Sequence, residues 1–216
     1  ILGTNSGTDS GTITITDGAN GDVTIAPNGT GSLVLNCGTA GAAGAGVGNA
    51  ALISSSVAKM NGEIVTTILV DITGLLSTGT LKRVLSDSGE TTAAYLTRIT
   101  TAVNGIVYRA EMACVADPTV GSGTLVPDID LVANGQAVLG GAEDWDDDTG
   151  SAESTSLIAA GGAWEAGTCR YSTSGSDFID LPDAYLYLAC GAAPGGSNSA
   201  AYATGKFIIK LYGASF

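Results

Sequence analysis

The N-terminal part of this chain repeats with a period of ten residues between positions 11 and 41. The segments GTITITDGAN, GDVTIAPNGT and GSLVLNCGTA align in one frame, and each contains two apolar residues separated by one position. These pairs are Ile13/Ile15, Val23/Ile25 and Leu33/Leu35. Such alternation predicts short half-buried strands, and the glycines that follow them predict turns. Because a unit of this length cannot bury its own apolar face, the repeat is predicted to serve in assembly.

The composition favours a β-rich chain over a helical one. Hydrophobic residues make up 44% of the 216 positions, charged residues only 13%, and there are 32 glycines. A hydrophobic fraction of this size is enough for a core, whereas a helical bundle would need more Leu, Glu, Lys and Arg. The sequence contains no run of 18 apolar residues, so we expect no membrane-spanning helix.

The charge is strongly negative and is concentrated in one segment. The formal net charge is −13, and 13 of the 21 acidic residues lie between Asp117 and Asp183, where Arg170 is the single base. Binding to nucleic acid needs clustered Lys and Arg, and anionic membranes also repel acidic surfaces. We therefore predict neither nucleic acid nor membrane as a partner.

Turn signals and composition divide the chain into three predicted parts. Residues 1–41 form an arm of β-repeats, residues 42–56 form a linker of Gly, Ala and Ser, and residues 57–216 form one domain. About eight strand patterns in that domain are separated by turn signals at intervals typical of a sandwich. The predicted fold is all-β, a jelly-roll-like β-sandwich preceded by an N-terminal arm of ten-residue repeats.

The residues offer no recognisable catalytic apparatus. The chain contains no histidine, which removes the commonest general base, and it lacks the nucleophile-elbow, P-loop and zinc-protease motifs. A pair of glycosidase carboxylates drawn from Glu143, Glu165 and Asp177 would lack the aromatic platforms of a sugar cleft, since there are only two tryptophans. We therefore predict a protein that is not an enzyme, with no catalytic or cofactor-binding residues.

The four cysteines have two interpretations. Cys37, Cys114, Cys169 and Cys190 are widely spaced, and without histidine the usual zinc sites are excluded. They are either buried thiols that behave as small hydrophobic residues, or they include a disulfide such as Cys169 with Cys190.

An acidic cluster at residues 143–148 is the one candidate for a metal. Asp146 and Asp148, together with Glu153, are a weak candidate for Ca²⁺, which takes oxygen ligands, although the spacing is not that of an EF-hand. The alternative is a solvated acidic loop whose Trp145 packs on the domain or on a neighbouring molecule. No other cofactor is expected.

The repeat also carries a family resemblance. The segment ITITDGANGDVTIAPNGTGSLVL, residues 13–35, resembles segments of tailed-bacteriophage virion proteins. In those proteins, short strands of alternating apolar residues flank a PNGTG motif. The match covers about a seventh of the chain. It implies a capsid decoration or cement protein on the outer surface of the capsid. Such a protein uses an N-terminal arm to bind the major capsid protein or another virion protein, and it is usually a homotrimer.

Two other classes remain open from the sequence. A phage tail-fibre or receptor-binding module would use the repeats as the end of a shaft and the sandwich as its head. A secreted bacterial adhesin or surface-layer fragment would instead depend on Ca²⁺ at the 143–148 loop for its stability.

Overall fold

A computed structural model describes residues 12–15, 23–26, 29, 38–48, 52–77, 82–87, 92–120, 128–141, 144–146, 154–159, 161–172, 183–191 and 200–215. The chain divides into two compact units, residues 1–37 and residues 38–216, which we call the arm unit and the body. The described elements are, in chain order, β1 (Thr12–Ile15), β2 (Val23–Ala26), α1 (Ala45–Gly48), β3 (Leu52–Met60), β4 (Glu63–Asp71), β5 (Leu76–Ser77), β6 (Thr97–Arg98), α2 (Thr101–Asn104), β7 (Ile106–Val120), β8 (Ile129–Asn134), β9 (Ser154–Ile158), β10 (Cys169–Tyr171), β11 (Tyr185–Cys190) and β12 (Ala200–Ala214).

The larger sheet of the body is antiparallel, with the strand order β10-β7-β12-β4-β3, and β5 pairs separately with β12. In β4 and in residues 205–214 of β12 every second residue is buried, as expected for strands with one face on the core. Nine residue pairs join β12 to β4, and a further nine join β3 to β4.

The smaller sheet has the order β6-β11-β8-β9. Its two central strands read as nearly continuous apolar runs, and nearly all their residues are buried on both faces. Inward residues of both sheets share one core, with Trp164, Tyr187 and Phe207 among its largest members. Two antiparallel sheets over a common core confirm the predicted all-β sandwich, while the jelly-roll connection stays a prediction.

Residues 42–56 differ from the linker expected from their composition. Ala45–Gly48 is a helical turn whose Val47 is 1% exposed, and Leu52–Met60 is a full strand of the larger sheet. Gly44 donates from its backbone to Tyr95 O at 2.8 Å and Gly46 to Ala93 O at 2.8 Å. Small residues here permit close backbone approach, a property that composition alone does not distinguish from flexibility.

Two strand-level expectations also change. In β7 the alternation of Ile106, Tyr108, Ala110 and Met112 predicts a common face, but Ile106 and Tyr108 are exposed while Ala110 and Met112 are buried. A register shift against β12, between the positions of Tyr212 and Gly213, accounts for the difference. In β11 the alternation of Tyr185 and Tyr187 with Leu186 and Leu188 predicts one face in the core and the other in contact with another subunit, but both faces are buried within the chain itself, apart from the half-buried Tyr185.

Candidate assembly surfaces

The arm unit contains an antiparallel pair of strands, β1 and β2, built from the first two repeats. The register places Ile13 opposite Ile25 and Ile15 opposite Val23, so the predicted apolar positions coincide across the ladder. Ile25 is 45% exposed. Only four residue pairs form this ladder, and an isolated hairpin of that size is marginal in water. Leu33 and Leu35, the apolar pair of the third repeat, lie outside the described residues.

The body presents a second surface, the side of the larger sheet that points away from the core, which we call the outer face. Its strands contribute alternate residues, and the paired registers place them in rows across the sheet. The large exposed hydrophobic side chains that the structure describes on the body are concentrated there. Of these eight residues, six belong to the outer face: Met60, Leu69, Ile106, Tyr108, Val115 and Tyr171.

One end of the outer face contains an apolar groove of about 540 Å³ between β3, β4, β12 and β7. Leu69, which is 47% exposed, and Val115, which is 53% exposed, line it together with Ile208. At its rim Lys206 Nζ lies 3.2 Å from Asp71 Oδ2. Burial opposes ionisation of Asp71, but hydrogen bonds from Thr73 and Lys206 outweigh it and hold the pKa of that carboxyl below 3.8.

The middle of the outer face is organised around one arginine. The Arg109 guanidinium lies 4.9 Å from the ring centroids of both Tyr171 and Tyr212, so it is held between two aromatic faces. Tyr212 donates its hydroxyl to Glu111 Oε2 at 3.0 Å. Burial and this bond to Glu111 raise the pKa of Tyr212, which stays protonated at neutral pH.

A further tyrosine spans the far end of the same face. Tyr108 Oη donates to Glu63 Oε1 at 3.1 Å, reaching from β7 towards β4 across the intervening strand β12. The outer face thus combines exposed aliphatic side chains with hydrogen-bonded tyrosines and an aromatic-held arginine. Tyrosine and arginine of this kind are enriched in the centres of protein interfaces.

The acidic cluster is docked onto the body by two bases. Asp146 forms an ion pair with Lys82, and Arg83 Nε lies 2.9 Å from Asp144 Oδ1. The backbone reinforces this contact, because Trp145 N donates to Lys82 O at 3.1 Å. Trp145 packs against the core, as the second interpretation of this loop expects.

The proposed Ca²⁺ ligands are therefore only partly placed. Asp146 is occupied by its ion pair with Lys82, while Asp148 and Glu153 lie outside the described residues. Over the part of the chain that the structure describes, no three His, Cys, Asp or Glu side chains cluster as metal ligands would. Of the three glycosidase candidates, Glu165 is exposed on a turn, and Glu143 and Asp177 are not described.

The cysteines that the structure describes are thiols. Cys114 and Cys190 are buried and Cys169 is half-buried, so the alternative disulfide between Cys169 and Cys190 is wrong. Burial raises the pKa of the Cys114 thiol to about 11, which keeps it protonated and unreactive. Cys37 lies outside the described residues.

A buried polar cluster lies where β8 begins. Asp128 is 3% exposed, and burial raises the pKa of its carboxyl above 3.8. Within the part of the chain that the structure describes, its Oδ1 has no hydrogen-bond partner, and a β-carbon on Gly191 would lie only 2.7 Å from that oxygen. One residue along, Trp164 Nε1 donates to Ile129 O at 2.8 Å, and the Arg170 guanidinium lies 4.3 Å from the centroid of the indole.

Comparison with known protein families, with curated proteins and with solved structures finds no match for this chain. Among the described residues, no helix has the length and apolar character needed to cross a membrane.

The outer face is the feature that the sequence analysis missed. A signal for it exists in β12, where Lys206, Ile208, Lys210 and Tyr212 alternate with the buried residues Phe207, Ile209 and Leu211. At the four outward positions the lysines are mixed with Ile208 and Tyr212, a combination that is unusual for a fully solvated face. Recognising it requires the pairing of β12 with both β4 and β7, which strand patterns alone do not supply.

Proposed function

We propose that this protein is a non-enzymatic structural component of a tailed-phage virion, a capsid decoration or cement protein that docks through its arm unit and stabilises the shell. The observation that carries the proposal is the β1–β2 ladder of the arm unit, which has its apolar positions in register and two strands among the described residues. A ribbon this small gains stability by adding its strands to those of a partner.

Other features of the chain agree with this role. The net charge of −13 suits a body that faces water in many copies, because like charge discourages non-specific association. The amino-acid sequence of the repeat resembles segments of phage virion proteins, which favours the major capsid protein or another virion protein as the partner. The jelly-roll connection, the trimeric state and the location on the outer surface of the capsid belong to the same proposal.

The test uses particles of the virus that encodes the chain, prepared without this protein, and measures binding of the added full-length chain. In one variant the register partners Ile13 and Ile25 are both replaced by Asp, which places charge at the apolar positions of the hairpin. The matched control replaces the adjacent register partners Thr14 and Thr24 by Asp, which adds the same charge. We expect the first variant to lose at least ten-fold in affinity for particles and the control to change much less.

Equal binding by the two variants would show that the hairpin is not the docking element. Failure of the unmodified chain to bind any particle would refute the virion role itself.

A further inference from the structure

We infer that the outer face of the larger sheet is the surface through which copies of this chain associate with one another. This inference deepens the homo-oligomeric part of the proposed function and assigns that role to the body. The first observation is where the exposed apolar residues lie: of the eight large exposed hydrophobic side chains among the described residues of the body, six are on this one face. Clustering of this kind marks an interaction surface, whereas scattered single residues do not.

The charge of the face indicates that the partner is a second copy. The outer face contains three acidic residues, Glu63, Asp71 and Glu111, and three basic residues, Arg109, Lys206 and Lys210. The chain as a whole carries −13, so two copies repel each other over most of their surfaces. Contact through a face without net charge avoids that repulsion.

The dimensions of the face are also sufficient. The nine-pair ladder between β12 and β4 is about 27 Å long, and the four long strands β7, β12, β4 and β3 span about 14 Å, which with the short β10 gives roughly 400 Å² per copy as a flat area. Two copies would then bury roughly 800 Å² of flat area, and the uneven surface of the side chains brings the total towards the roughly 1,000 Å² of a specific interface.

Contacts within the chain order the side chains of the outer face before a partner binds. Arg109 is held between Tyr171 and Tyr212, and Tyr108 is tied to Glu63 by its hydroxyl. Side chains that are already ordered lose little entropy on association, which favours binding. The groove lined by Leu69 and Val115 provides an apolar pocket for a side chain of the partner copy.

The experiment measures the mass of the full-length chain in solution by sedimentation velocity over a range of concentrations. Two valines of similar exposure form a matched pair, Val115 on the outer face at 53% and Val138 after β8 at 57%. We expect the unmodified chain to sediment as an oligomer and Val115→Glu to weaken association at least 100-fold. Val138→Glu should associate like the unmodified chain. Leu69→Glu provides a second disruption of the same groove, and circular dichroism verifies that each variant is folded.

Three results would overturn the inference. The unmodified chain could be monomeric at 21.3 kDa, or Val115→Glu could associate as tightly as Val138→Glu. Alternatively, association could be abolished by Asp at both Ile13 and Ile25 and remain unaffected by Val115→Glu, in which case copies meet through the arm unit. If the variant with Asp at Ile13 and Ile25 still bound particles as tightly as the unmodified chain, that result would count against the docking role of the arm only and not against the outer face.

Discussion

The helical turn α1 provides a sharp test of whether residues 42–48 are part of the body. A β-carbon added at Gly46 would overlap the backbone oxygen of Thr92 and lie 3.0 Å from Ala93 O. Gly46 N also donates to Ala93 O at 2.8 Å, so any displacement weakens that bond. A flexible linker would tolerate alanine at this position, whereas the packed turn should not.

The magnitude for Gly46→Ala follows from two costs. Forcing a methyl group into a packed site costs about 1–3 kcal/mol, and a weakened backbone hydrogen bond adds about 0.5–1.5 kcal/mol. We therefore expect the free energy of unfolding to fall by about 2–4 kcal/mol. For a domain of this size that corresponds to a decrease in Tm of roughly 5–15 °C.

Gly48→Ala is the matched control, because it belongs to the same turn and a β-carbon there meets no atom within 4 Å. Alanine has the higher helix propensity, so the free energy of unfolding should change by less than about 1 kcal/mol, in the stabilising direction. The assay is thermal unfolding of both variants, followed by circular dichroism in the same buffer. Equal Tm values for the two variants would refute the packing argument.

Two further predictions concern the buried polar cluster. Trp164→Phe should cost about 1–3 kcal/mol in urea unfolding, because Ile129 O loses its indole donor in a buried site; an unchanged midpoint would contradict this. Burial raises the pKa of Asp128 in the folded state, so its favourable contribution is present at low pH and is lost as pH rises through that pKa. Asp128→Asn should therefore stabilise the chain more at pH 7 than at pH 3.5 in denaturant titrations, and the opposite order would show that the ionised carboxyl is favoured.

The sequence was sufficient for the fold class and for most strands of the body. Period-two alternation is a local property, and it predicted strands at the apolar pairs of the first two repeats, where the structure has β1 and β2. It failed where pairing with a distant strand determines which side chains are exposed. The bulge that reverses the exposure of Tyr108 depends on the partner strand, and no feature of residues 105–115 alone encodes it.

The candidate surfaces divide in the same way. The arm was visible in the sequence because its repeat recurs at a fixed period. The outer face was not, because Arg109, Tyr171 and Tyr212 come from three separate strands and meet only after those strands pair. The packed turn at Gly46 was misread for a similar reason, since its neighbours Thr92 and Ala93 lie more than forty residues further along the chain.

The position of β12 between β4 and β7 has a consequence for how the body folds. These two strands do not pair with each other. On the side that faces β12, each stays unpaired until β12 inserts between them. Until that moment both keep an unpaired edge, while about 80 residues of chain between β7 and β12 are still being arranged. Pairing over such separations is slow, and open edges are prone to wrong pairing. Conditions that slow the insertion of β12 should therefore increase aggregation during folding.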